Sequence, residues 1–128
     1  MFRRDIEAVL TLFALDIVVD RKVLREEIET FMASADELSH ACGTKERLSQ
    51  TRLLYWFELN REAFIAMTKL EKPDFHEKID ALFMEARKFP NRFLVLTIMN
   101  KISRADGRIH ASERALSKYA EIKLEEVA

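Results

Sequence analysis

Residues 102–113 read Ile102-Ser103-Arg104-Ala105-Asp106-Gly107-Arg108-Ile109-His110-Ala111-Ser112-Glu113 and predict a tight corner between two helices. A strongly apolar helix ends just before Gly107, which suits the left-handed conformation that often follows a helix end. Ile109 offers one apolar side chain for burial in the connection, and Glu113 begins the second helix. Asp106 and Glu113 therefore flank a single helix–turn–helix corner.

A weaker version of this corner lies near the amino end of the chain, in Ala14-Leu15-Asp16-Ile17-Val18-Val19-Asp20. Aligning Asp16 with Asp106 brings the two segments into register. In this register the apolar Val19 falls on Ile109. Two related corners with acidic residues at helix ends indicate a duplicated helical hairpin.

Helical periodicity runs along nearly the whole chain. Apolar residues recur at spacings of three and four, and no alternating strand pattern competes with them. The first helix is predicted from about Arg4 to Val18, and three others start after Asp20, Thr44 and Asp74. Pro90 is predicted in the first turn of a fifth helix, and a last helix lies near Leu116. Two Gly and two Pro are too few for the turns of an all-β protein. The sequence therefore predicts one all-α domain over residues 1–128, with about six helices and two related hairpins.

Finer expectations concern helix ends and the core. Thr44 is predicted to cap the third helix, which is interrupted near Asn60, and Asp74 forms a capping box with Glu77 for the fourth. The helix after Pro90 is apolar nearly all round, so we expect it to be the central helix. The residues expected to be among the most buried are Leu94, Val95, Ile98 and Met99.

Composition argues against several classes of function. The net charge is −1 and no basic stripe with interleaved aromatic residues occurs, so nucleic acid is not an expected partner. The most apolar run, residues 9–19, is interrupted by Asp16 and is shorter than the roughly 20 residues of a membrane span. No signal-peptide pattern is recognisable, so a cytoplasmic location is expected.

The sequence assigns no catalytic and no cofactor-binding residue. It lacks a Gly-rich phosphate loop and a nucleophile elbow, and a single cysteine excludes a zinc site built from cysteines. The three histidines, His40, His76 and His110, have no zinc-ligand spacing. Several helical glutamates are interpreted as exposed charge beside Lys and Arg: Glu26, Glu27, Glu29, Glu58, Glu62 and Glu85.

Five consecutive bulky residues, Leu53-Leu54-Tyr55-Trp56-Phe57, cannot all lie on one face of a helix. Some of them must be covered by a second helix of the chain, by a partner chain or by a ligand. An additional helix of the same chain is the commoner arrangement, and a homodimer contact is the alternative.

The pattern Ala-Asp-Gly-x-Ile-x-x-x-Glu at 105–113, within the segment from Ile102 to Leu116, resembles the TerB-like tellurite-resistance domain. Residues 12–20 resemble a degenerate copy, with Ile17 in place of the glycine and Val23 in place of the glutamate. The resemblance implies an all-helical fold with duplicated hairpins and covers nearly the whole chain.

The same resemblance implies a metal site near a partner-binding surface. Its ligands would be Asp16, Asp106 and Glu113, with Asp20 as an additional candidate. A divalent cation such as calcium, magnesium or manganese fits this set, because hard cations prefer several oxygen ligands. The same acidic residues also fit a purely structural role, since Asp beside Gly ends helices and Glu is favoured in a first turn.

Two functional hypotheses follow. In the first, the protein is a non-catalytic interaction module that binds a partner protein in a stress-response or chaperone-linked system. In the second, it is an enzyme or a small-molecule-binding protein that uses carboxylates in a helical pocket. A deep apolar pocket that converges on Asp16 or Asp106 would favour the second hypothesis.

Overall fold

The computed structural model describes residues 4–18, 25–34, 37–38, 49–89 and 91–104, together with residues 118 and 122. Over these ranges the chain forms helices and no strand, which confirms the all-α prediction. The helices are α1 (Arg4–Val18), α2 (Arg25–Ala33), α3 (Gln50–Thr68), α4 (Lys72–Ala86) and α5 (Arg92–Ser103). The corner at 105–113 lies outside the described residues, so the duplicated hairpin remains a prediction.

The central helix is α1, which packs against each of the other four helices. Every residue from Ala8 to Val18 except Thr11 is buried. Nearly all of these residues are apolar, so α1 can be covered on all sides without leaving many polar groups in the core. The bounds predicted for this helix are confirmed, but its central position was not expected.

The prediction that the helix after Pro90 is central is wrong. Val95, Ile98 and Met99 of α5 are buried as expected, whereas Leu94 is only partly buried. One side of α5 faces solvent, and its Phe93 is 79% exposed. α5 packs mainly against α1 and α2, so only the side of the helix that faces them is buried. Apolar residues on its other side are therefore exposed.

Two helix starts differ from the predicted ones. The N-cap of α3 is Ser49, whose Oγ accepts a hydrogen bond from the Arg52 backbone N–H at 3.1 Å. Thr44 lies outside the described residues. The helix continues through Asn60, whose Nδ2 donates to the Trp56 carbonyl at 2.9 Å, so the predicted interruption is wrong. α4 starts at Lys72, and Asp74 lies within its first turn instead of capping it.

α5 begins after a side-chain cap. The Asn91 Oδ1 accepts a hydrogen bond from the Leu94 backbone N–H at 3.0 Å. Pro90 therefore precedes the cap and is not part of the first turn. An asparagine in the N-cap position satisfies one of the backbone N–H groups that lack a partner within the helix.

An aromatic cluster joins α2 to α3. The Phe31 ring lies 6.5 Å from Trp56 and 5.9 Å from Phe57, measured between ring centroids. Phe64 extends the cluster, at 5.3 Å from Trp56 and 6.3 Å from Phe57. These tilted arrangements have the spacing at which aromatic pairs attract each other beyond the effect of their burial.

None of the described helices is long and apolar enough to cross a membrane.

Truncation of α5 tests whether its inner face is part of the core. Ile98→Ala should lower the free energy of unfolding by about 2–5 kcal/mol, because it removes buried apolar atoms and leaves a cavity. Phe93→Ala on the same helix is the matched control and should stay within about 0.5 kcal/mol of the wild type, since Phe93 faces solvent. Urea denaturation measures both. An Ile98→Ala midpoint equal to that of Phe93→Ala would contradict the described packing.

Candidate functional site

Asp16 is the residue of the predicted metal site that the structure describes. It lies near the carboxyl end of α1 and is 0% exposed. Its neighbours along the helix, Leu15 and Ile17, are equally buried. The other predicted ligands, Asp20, Asp106 and Glu113, lie outside the described residues. The proposed convergence of these carboxylates therefore remains a prediction.

A second buried carboxylate belongs to Glu27, in the first turn of α2, which is 1% exposed. The interpretation of Glu27 as exposed charge is wrong. It shares one face of α2 with Phe31 and Ser34, which are also buried, and residues at spacings of four and three lie on the same side of a helix. The position of Glu27, four residues before the apolar Phe31, could therefore have predicted from the sequence that Glu27 is buried.

Both carboxylates are costly to bury. A polar group in a protein interior is stable when it is hydrogen-bonded or paired, and an isolated ionised carboxylate is strongly disfavoured. Asp16 and Glu27 each interact with other groups of the protein. α1 and α2 also pack against each other, so these two helices bring both acidic residues into the interior.

A metal centre does not assemble from the described residues alone. Over these ranges, no group of three or more His, Cys, Asp or Glu side chains is close enough to hold a metal ion. The metal prediction therefore depends on Asp106 and Glu113, which follow α5 in the sequence. Of the predicted set, only Asp16 can be placed, and it belongs to the core.

An open groove lies between α2 and α5. Its volume is about 560 Å³, and it is lined by Thr30, Thr97, Asn100, Lys101 and Arg104. Beside it, the Lys101 Nζ contacts the Glu37 Oε1 at 3.3 Å. The groove has the size of a small-molecule site, but it lies open to solvent, whereas such sites enclose most of their ligand. Among the described residues Asp16 does not line it, and Asp106, the other carboxylate of the second hypothesis, lies outside the described residues.

The outer surface of α3 carries two large, exposed apolar side chains that lie one turn apart. Tyr55 is 61% exposed and Leu59, one turn further, is 67% exposed. Arg52 and Glu62 are exposed on the same side of the helix, before and after this apolar pair. We call these four residues the α3 outer face. Of the five bulky residues at 53–57, Tyr55 alone is exposed, and the others are covered at least partly within the chain.

Comparison of the chain with protein-family models, with curated proteins and with solved structures found no match. The resemblance to the TerB-like domain therefore rests on the residues at 105–113 and on their weaker copy. The geometry of the described helices is the remaining guide to function.

The metal prediction can be tested by thermal unfolding with and without calcium, magnesium or manganese. If the corner binds a cation, Asp106→Asn with Glu113→Gln should abolish the metal-dependent rise in Tm and leave the fold intact, because amides lack the charge that a hard cation needs. At roughly one hundred times Kd, a bound cation stabilises by about 2.7 kcal/mol, which a melting experiment detects.

Asp16→Asn in the same experiment separates a ligand from a structural carboxylate. Loss of the metal-dependent shift would identify Asp16 as a ligand. An equal change in Tm with metal and with chelator would assign it to the core. A wild-type Tm that is the same in all three metals and in chelator would contradict the metal site altogether.

Proposed function

We propose that the protein acts by binding, as a protein-interaction module whose docking surface is the α3 outer face. The observation that carries this proposal is the pair Tyr55 and Leu59. Both side chains are more than half exposed, and they lie one turn apart on the same helix. Contiguous exposed apolar surface commonly marks a protein-interaction site.

The other exposed apolar residues support a different interpretation. Met84 belongs to α4 and Phe93 to α5, so each is the single large apolar side chain that is exposed on its helix. Isolated apolar side chains are normal on protein surfaces and need no partner. Among the described residues, large apolar side chains that are more than half exposed follow each other at one-turn spacing only on α3.

The charges of the α3 outer face define the chemistry of the partner. Arg52 is a cation on the amino-terminal side of the apolar pair, and Glu62 is an anion on its carboxyl-terminal side. A complementary helix would present two apolar residues flanked by an acidic residue and a basic residue. Covering a Tyr or Leu side chain contributes about 1.5–3 kcal/mol relative to leaving it exposed, so two such residues can anchor a helix.

The cellular context of this binding follows from the TerB-like resemblance alone. On that basis we propose a stress-response or chaperone-linked role, with a divalent cation at the corner between 105 and 113. The proposed docking surface on α3 includes none of the predicted metal ligands.

Site-specific photo-crosslinking tests the docking surface. A benzophenone amino acid placed at position 55 in cells that produce the protein should give a discrete covalent adduct with a protein. The same group at position 84 is the matched control, since Met84 is 66% exposed but lies on another helix. Leu59→Asp should reduce the adduct at position 55 at least about tenfold, because it places a charge where the partner is apolar.

Two results would contradict the proposal. One is equal crosslinking at positions 55 and 84. The other is an adduct at position 55 that persists in the Leu59→Asp variant. Circular dichroism of Leu59→Asp is the control for folding, and it should match the wild type because Leu59 is not part of the core.

A further inference from the structure

We propose that the occupant of the α3 outer face is a second copy of this chain, with the two α3 helices crossing antiparallel about a two-fold axis level with Phe57. This inference rests on the proposed function, since it names the partner of the same surface. Phe57 itself is buried and only marks the height of the axis along the helix.

The spacing of the four residues allows such a contact. Arg52, Tyr55, Leu59 and Glu62 follow each other at spacings of three, four and three. This is the spacing with which residues form a seam between two helices that pack side by side. All four are exposed, so a second helix can reach the seam without any change in the core.

The two-fold axis makes the seam complementary to itself. In an isologous contact, if residue i faces residue j, then j also faces i. With the axis level with Phe57, Tyr55 faces Leu59 of the second copy, and Leu59 faces its Tyr55. At both ends Arg52 then faces Glu62. Two apolar contacts in the middle are thus flanked by two pairs of opposite charges.

Other arrangements of the same two helices lose this complementarity. A parallel pair would bring Arg52 against Arg52 and Glu62 against Glu62. An antiparallel pair shifted by one seven-residue repeat would bring Glu62 against Leu59 and Arg52 against Lys69. Like charges that face each other directly are destabilising, and a carboxylate against an apolar side chain loses its hydration. The charges therefore disfavour the parallel orientation and this shifted register.

The predicted association is weak. The seam from Arg52 to Glu62 is about 15 Å long at the 1.5 Å rise per residue of an α-helix. A contact of this length falls at the small end of specific protein interfaces, so we expect a reversible dimer that depends strongly on concentration.

Charge exchange on α3 tests the inference with the full chain. Sedimentation equilibrium over a range of concentrations should show a monomer–dimer equilibrium for the wild type. Arg52→Glu and Glu62→Arg should each weaken self-association at least about tenfold, because each replaces both terminal pairs with like charges. Lys69→Glu is the matched control. It reverses an exposed charge near the end of the same helix but outside the seam, and should change Kd by less than about twofold.

Two rescues make the test specific. The double variant Arg52→Glu with Glu62→Arg restores opposite charges at both ends and should recover the wild-type Kd within about threefold. The two single variants should also bind each other when mixed. One of them then carries acidic residues at both ends of its seam and the other carries basic residues at both ends, so opposite charges face each other only in the hetero-pair.

The outcomes separate this inference from the proposed function. A wild type that stays monomeric up to about 1 mM overturns the second copy as occupant. If position 55 still crosslinks to a different protein, the docking surface stands and only its occupant changes. A dimer that is insensitive to both single charge reversals, or a double variant that fails to recover, also overturns the antiparallel contact.

Discussion

Burial of α1 from Ala8 to Val18 is the constraint on which the other helices depend. This helix contacts each of the other four, and from Ala8 to Val18 it leaves only Thr11 partly exposed. Each surrounding helix must therefore turn one face toward α1 and another toward solvent. A face with polar side chains is hydrated by solvent, as on α5 at Asn100 and Lys101. An apolar outer face, as at Leu59, has no such explanation within the described fold.

The sequence predicted the fold class and the bounds of α1, because hydrophobic periodicity follows directly from the geometry of a helix. It did not predict which helix is central. α1 and α5 are both strongly apolar, and only their packing shows that Leu12 and Leu15 are covered while Phe93 is not. Helix starts were also missed, because a cap is one short hydrogen bond, such as that to Ser49, and several nearby residues could supply it.

The candidate site could likewise be predicted from the sequence only in part. Acidic residues at helix ends drew attention to Asp16, yet periodicity cannot tell a carboxylate at a surface corner from one inside the core. Glu27 was missed because glutamate is rarely buried, so its residue type outweighed its position on the buried face of α2. Buried acids on two packed helices carry a desolvation cost, which their interactions with other groups of the protein must offset.

The α3 outer face differs from both buried acids, because it contributes little to the stability of the isolated chain. Tyr55 and Leu59 bury little surface within the fold, and exposed charges such as Arg52 and Glu62 usually add less than about 1 kcal/mol each. Folding therefore depends little on the side chains of Tyr55 and Leu59. The order of the four residues along the helix, with a cation, two apolar side chains and an anion, is the order that pairs with itself under a two-fold axis. Recognition by a second copy, as proposed above, would account for this order.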